Sequence, residues 1–227
     1  MIIECFQNKK FNILWSAGCM TGIARAMEFL ALSLFILEGL GIAFLITIVF
    51  ATRMLPMSLL GIFIGSISEN VKASSVVTFL YLCSTIIVLC CFILQANDYF
   101  NIYLALTLAF INGTTWVADL AVRRRIITEN IEEKFLSTSL AMETLSNNAT
   151  RLIGPLCTGF LYITIGLEGI FFILFFLYFS ALIFIIVFQT KFEKSKSQIS
   201  RNFSVLDETT NLYFNIKMLN KLGKERM

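Results

Sequence analysis

The 227-residue sequence contains no histidine, only two prolines and few charged residues, which make up 15% of the chain. Without histidine, proteases and phosphatases that depend on an imidazole are excluded, as are most haem and zinc sites. The six cysteines show no metal-ligand spacing, and all but Cys5 lie within apolar stretches, so we expect no metal site and no cofactor. No G-x-S-x-G motif occurs either. Together these absences argue against an enzyme.

Hydrophobic residues, by contrast, account for 57% of the chain and include 23 phenylalanines. A soluble domain contains about 45–50% apolar residues and about 25% charged ones. The apolar residues here form six long blocks, at 11–37, 40–66, 74–95, 101–122, 135–162 and 166–189. Each block can cross the ~30 Å hydrocarbon core as a helix, and the lack of strict alternation excludes barrel strands. We therefore predict an all-α integral membrane domain over 11–189, with six transmembrane helices in the lipid bilayer.

The basic residues are expected on one side of this bundle. All but three of the 18 fall in four segments, namely 1–10, 67–73, 123–134 and 190–227. The intervening connections contain none, and these are 38–40, 96–100 and 163–166. Because basic residues in short loops mark the cytoplasmic side, both termini are predicted to be cytoplasmic, in a protein of the inner (plasma) membrane. The net charge of only +3 gives no support for a nucleic-acid partner.

The segment 190–227 is predicted to be a cytoplasmic tail. Its polar composition favours a partly disordered end. An interfacial helix is the alternative, because four apolar residues fall near one helical face: Leu212, Ile216, Leu219 and Leu222.

Two short sequences indicate an internal repeat. ATRMLP covers 51–56 in the second block, and ATRLIGP covers 149–155 in the fifth. They contain Pro56 and Pro155, which are the two prolines of the chain. In a 3+3 arrangement the second and fifth helices are equivalent and cross the membrane in opposite directions. We therefore predict that the six helices form a 3+3 inverted repeat.

Six charged residues lie beyond the first and last three positions of the apolar blocks, and they are Arg25, Glu28, Arg53, Asp119, Glu143 and Arg151. Each costs about 2.5–3.5 kcal/mol near the centre of a bilayer, so pairing or a wet cavity is expected. Arg25 and Glu28 are three residues apart and share a helix face. Two further polar stripes have helical spacing, one of Asn112, Trp116 and Asp119, the other of Glu143, Asn147 and Arg151.

Two interpretations of these residues remain open. They form structural ion pairs that fix the bundle, or they line a path for a substrate or a proton, since a carboxyl group in a cavity can take up a proton as coupling requires. We assign most of them to the path, namely Arg25, Glu28, Asn112, Trp116, Asp119, Glu143 and Asn147. Arg53 and Arg151 are predicted to form structural ion pairs.

Three longer stretches carry a family resemblance. The first is RMLPMSLLGIFIGSISENVKAS, in which Gly65 and Glu69 match a loop motif whose basic end is not preserved. The second is WVADLAVRRRIITENIEEKFLSTSLAMETLSNNATRLIGPLCTGFL, which ends in an antiporter-like motif with Gly154, Pro155 and Gly159. The third is RAMEFLALSLFIL in the first block. Over about residues 10–190 the chain resembles the N-terminal half of a major facilitator superfamily transporter, of the bacterial efflux branch that includes multidrug and siderophore exporters.

The resemblance implies proton-driven efflux of a small-molecule substrate by alternating access between two six-helix halves. It also implies that Glu69 helps to latch the halves on the cytoplasmic side, with Arg123, Arg124 and Arg125 as partners in a basic loop. The tail 190–227 is similar to the family's central loop. Because no seventh block follows, the second half is expected from a separate chain or a homodimer. A truncated, inactive product and a non-transporting membrane scaffold are the alternatives.

Overall fold

The structure is a computed structural model and describes residues 8–67 and 72–193. Within these ranges five long helices follow one another: α1 Lys9–Leu40, α2 Ala43–Ile67, α3 Ala73–Ala96, α4 Ile102–Asn130 and α5 Glu133–Phe188. A short π-helical turn, Gln189–Glu193, comes after α5. The described residues contain no strand, in agreement with the predicted all-α class.

Among the described residues, four helical segments are long and apolar enough to cross a membrane, and they are Lys9–Gly39, Ala73–Ala96, Ile102–Asn130 and Glu133–Lys191. A shorter apolar helix covers Ala43–Leu59 in α2. Many large apolar side chains on these helices are exposed, for example Phe44, Phe160 and Ile163. Such exposure suits helices that face hydrocarbon. The six-helix count and the 3+3 repeat stay predictions.

The predicted fifth and sixth blocks are joined in α5, which has 56 residues. A straight helix of that length would extend ~84 Å at ~1.5 Å per residue, far beyond the ~30 Å hydrocarbon core. Gly166 interrupts it with a φ of 67° and a ψ of −173°, a conformation that is essentially restricted to glycine. We call 133–165 the amino-terminal limb of α5 and 167–187 its carboxyl-terminal limb.

The predicted basic loop at 123–134 is wrong in its extent. Helix α4 continues to Asn130, so Arg123, Arg124 and Arg125 lie on the helix. The helix continues because Arg123 is buried among carboxylates instead of facing water. Glu69, the remaining predicted member of the latch, lies outside the described residues, as does most of the tail.

Small residues allow the helices to approach closely. A Cβ added at Gly113 of α4 would overlap the backbone oxygen of Arg53 in α2. A Cβ added at Gly154 of α5 would overlap the Cβ of Ala26 and lie 3.1 Å from the Ile23 carbonyl oxygen, both in α1. Close packing of this kind is the usual way in which membrane helices associate. These contacts hold α1, α2, α4 and the amino-terminal limb of α5 around one polar region.

Candidate functional site

Asp119 of α4 lies at the centre of a buried ionic network. Its Oδ2 is 2.6 Å from Nη2 of Arg25 in α1. Its Oδ1 accepts a hydrogen bond of 2.9 Å from the hydroxyl of Tyr81 in α3. Arg25 also donates to the hydroxyl of Thr21 at 2.9 Å and to its backbone oxygen at 3.1 Å, one turn earlier on α1. The network therefore connects α1, α3 and α4 through one carboxylate.

Arg123 extends this network to α5. Its Nη2 is 2.5 Å from Oε1 of Glu143, and its Nε is 3.5 Å from Oδ1 of Asp119. The Arg123 side chain is only 2% exposed, and its guanidinium occupies the space that a side chain on Gly18 of α1 would need. Two carboxylates and two guanidinium groups thus balance one another inside the protein.

Glu28 belongs to a second buried cluster. Its Oε2 accepts hydrogen bonds from Nδ2 of Asn112 in α4 and, at 3.0 Å, from the hydroxyl of Tyr178 in the carboxyl-terminal limb of α5. Its Oε1 is buried without a hydrogen-bond partner in the part of the chain that the structure describes. A carboxyl group withdrawn from water relieves the cost of its charge by binding a proton. The cluster therefore holds a buried acid that forms no ion pair among the described residues.

A cleft of about 380 Å³ lies beside α1. Its lining residues come from α1 (Gly22, Arg25, Ala26 and Phe29), α2 (Phe50, Arg53 and Met54), α4 (Trp116) and α5 (Asn147, Arg151 and Pro155). Arg25 belongs both to the cleft wall and to the ionic network. The cleft and the buried acids are thus neighbouring parts of one polar region.

Trp116 lies between two arginines of the cleft. The Cζ of Arg53 is 5.5 Å from the centroid of the Trp116 ring, and the Cζ of Arg151 is 5.1 Å from it. Arg53 also lies over the Phe29 ring, at 5.2 Å. These are cation–π distances. We call Arg53, Trp116 and Arg151 the arginine–tryptophan cluster.

The residues predicted for the path fall into three groups: Arg25, Trp116 and Asn147 line the cleft, Glu28 and Asn112 are hydrogen-bonded to each other, and Asp119 and Glu143 lie in the ionic network. Arg53 and Arg151 are placed differently from the prediction, since neither forms an ion pair within residues 8–67 and 72–193. Arg123 instead lies beside both Asp119 and Glu143.

The residues of the predicted loop motif and of the antiporter-like motif lie in different environments. Gly154 packs against α1, Pro155 lines the cleft, and Gly159 has no atom within 4 Å of an added Cβ. Arg124 is exposed, and Arg125 forms an ion pair of 2.6 Å with Glu129 on the same helix. Gly65 lies within α2.

Sequence reasoning missed the two tyrosines that hold the acids, Tyr81 and Tyr178. A signal was present, because a tyrosine hydroxyl within an apolar block needs a hydrogen-bond partner in the protein interior. Sequence reasoning did not predict that Arg123 belongs to the network. The run of three arginines, Arg123 to Arg125, was interpreted as a loop, although the helix continues through it.

A comparison with known protein families decides the class of protein. The family model described as Major Facilitator Superfamily matches residues 14–217, which is most of the chain. This chain belongs to the Major Facilitator Superfamily. No curated protein and no solved structure matches it.

Major facilitators are membrane transporters of small molecules and are not enzymes. The family match and the apolar helices together make this chain a multi-pass membrane protein of the transporter class. The resemblance to the superfamily is thereby confirmed at the level of the family. The efflux branch and the N-terminal half stay predictions.

Proposed function

We propose that this facilitator mediates proton-coupled efflux of a small molecule across the inner membrane. In this proposal the cleft is part of the substrate path and Glu28 carries the proton. The observation on which it rests is the position of Glu28, a buried acid whose neighbours in α1 line the cleft.

The acids differ in their suitability for this role. Asp119 and Glu143 lie against guanidinium groups at 2.6 and 2.5 Å, and such ion pairs favour a fixed charge. Glu28 has neutral hydrogen-bond partners, Asn112 and Tyr178, and one unpartnered oxygen among the described residues, and Arg53 acts on it only through space, without an ion pair. A reversible proton site needs an acid that is not permanently engaged by a cation, and Glu28 meets this condition best.

The location of Glu28 supports coupling to the substrate. Arg25 and Phe29 lie on either side of it in α1, and both line the cleft. A movement of α1 that reshapes the cleft would also alter the contacts of Glu28 with α4 and α5. Coupling requires only that two sites bias the same conformational change.

We also propose that the chain forms six membrane-spanning helices in a 3+3 inverted repeat, with both termini cytoplasmic. The interruption at Gly166 supports the division of α5 into two spans. Arg53 and Arg151, which occupy equivalent places in the two repeat sequences, both reach Trp116. A second six-helix half, from another chain or a second copy, would complete the path.

The test is efflux from cells that express the chain, alone or with a six-helix partner. The probes are 5-carboxyfluorescein as an anion and ethidium as a cation, followed with and without a protonophore. We expect gradient-dependent loss of at least one probe. Glu28→Gln should reduce that loss at least ten-fold, whereas Glu129→Gln, on the exposed part of α4, should leave it unchanged. Gradient-dependent efflux that survives Glu28→Gln intact would remove Glu28 from the proton path, and no efflux of either probe would count against the transport proposal.

A further inference from the structure

We infer that the cleft selects organic anions that carry an aromatic or other flat apolar group. This inference rests on the proposed function, since it names the substrate class of the proposed path. It is carried by the arginine–tryptophan cluster and by the charge of the cleft wall.

The wall of the cleft is rich in basic residues. Three arginines line it, and none of the described lining residues is acidic. Arg25 is matched by Asp119 at 2.6 Å. Glu143 pairs with Arg123, whereas Glu28 is hydrogen-bonded to Asn112 and acts on Arg53 through space without forming an ion pair with it. Neither Arg53 nor Arg151 forms an ion pair among the described residues, so both guanidinium groups can bind an anion that enters the cleft.

The arginine–tryptophan cluster does not neutralise those charges. A cation–π contact contributes about 0.5–2 kcal/mol but brings no counter-charge. Arg53 has a buried Nε without a hydrogen-bond partner among the described residues. Two like charges that converge on one ring also repel each other. An anion between Arg53 and Arg151 would relieve the repulsion and supply acceptors for their N–H groups.

The chemistry of a guanidinium group limits the classes of anion that fit the cleft. Its planar fork of donors matches a carboxylate or phosphate in a bidentate arrangement. The remaining walls are apolar, with Phe29, Phe50, Met54 and Trp116. A small inorganic anion would leave these walls uncovered. A volume of about 380 Å³ lies at the lower end of ligand pockets, so the best fit is a small aromatic acid.

Binding can be measured without transport, through the fluorescence of Trp116 in the purified chain. The sequence has two tryptophans, so Trp15→Phe leaves Trp116 as the reporter. The probe is 4-nitrobenzoate, a quencher of indole fluorescence. Matched probes of nearly the same shape are neutral 4-nitrobenzamide and cationic 4-nitrobenzyltrimethylammonium. Inorganic phosphate, added as a competitor, tests whether charge alone is enough.

We expect saturable quenching by 4-nitrobenzoate, with a Kd at least ten-fold lower than for the amide, no saturation by the cation, and weak competition by phosphate. Arg53→Gln and Arg151→Gln should each raise the Kd at least ten-fold. Arg53→Lys should restore part of the loss. Arg124→Gln, an exposed arginine of α4 outside the cleft, is the matched control and should not change the Kd.

Equal binding of the three nitro compounds, tighter binding of the cation, or an unchanged Kd in both Gln variants would overturn the inference. Arg151 is exposed, so its substitution tests the site even if Arg53→Gln does not fold. A failure of this inference can be distinguished from a failure of the proposed function. Anion binding without gradient-dependent efflux would retain the ligand class and reject the transport mechanism. Gradient-dependent efflux of ethidium alone would retain the transport mechanism and reject the anionic ligand class.

Discussion

Arg25 and Asp119 are 94 residues apart in the sequence, yet Nη2 of the first lies 2.6 Å from Oδ2 of the second. Their side chains are 6% and 1% exposed, so water contributes little to either charge. A buried ion pair of this kind is balanced only while both partners and their additional hydrogen bonds are present. The pair therefore makes α1 and α4 depend on each other for their position.

Asp119→Asn should destabilise the protein by about 3–5 kcal/mol, because it leaves Arg25 and Arg123 buried without their shared carboxylate. Unfolding of the purified protein in detergent, followed by circular dichroism during titration with dodecyl sulfate, measures this loss. The matched control is Glu129→Gln, which breaks the half-exposed pair with Arg125 on the same helix. That change should cost about 0.3–0.5 kcal/mol. Equal losses of stability in the two variants would show that burial of the network does not contribute to the free energy of unfolding.

The sequence predicted that the charged residues would cluster, because isolated charges are costly in hydrocarbon, and it identified Arg25, Glu28 and Asp119 as members. It did not predict which base meets which acid. That choice depends on the rotation of each helix about its axis and on the true end of α4. Arg123 looked like a loop residue beside Arg124, and only packing against Gly18 and Glu143 reveals its burial. Similarly, the apolar pattern indicated a break near residue 166, but not that a single glycine conformation makes it.

Gly154→Ala should destabilise the protein by about 1–3 kcal/mol, because the added methyl group would overlap Ala26 and separate α5 from α1. Gly159→Ala, five residues further along the same motif, is the matched control. No atom lies within 4 Å of a Cβ at Gly159, so the change should be neutral or stabilise the helix by up to about 1 kcal/mol. The same detergent unfolding experiment compares them. If Gly159→Ala is the more damaging variant, the close approach of α1 and α5 at Gly154 is refuted.

Tyr178→Phe should impair proton coupling while leaving most of the fold intact. It removes the hydroxyl that donates to Oε2 of Glu28 at 3.0 Å, so that Asn112 is the remaining donor among the described residues. A hydrogen bond to a charged group contributes about 1.5–3 kcal/mol, which is enough to change a rate or an equilibrium about ten-fold or more. The measurement is the rate of gradient-dependent probe efflux as a function of pH, and we expect an altered profile.

Tyr81→Phe is the control for that experiment, since it removes an equally buried hydroxyl that donates to Asp119. Asp119 keeps Arg25 and Arg123 as partners, so a loss of stability of about 1 kcal/mol is expected without a changed pH profile. Identical shifts in both variants would mean that the profile reports general damage, and the assignment of the proton to Glu28 would fail.

A reporter fused after Gln189 should be active on the cytoplasmic side of the membrane. The expectation follows from the distribution of basic residues, because Lys9, Lys10 and Lys72 fall on the same predicted side as the tail. A second reporter after Gly166, where α5 is interrupted, should be active on the opposite side if the two limbs cross the membrane separately. Alkaline phosphatase and green fluorescent protein fusions at both positions measure this directly. A periplasmic signal after Gln189, or the same side for both fusions, would contradict the six-helix arrangement and with it the inverted repeat that relates Arg53 to Arg151.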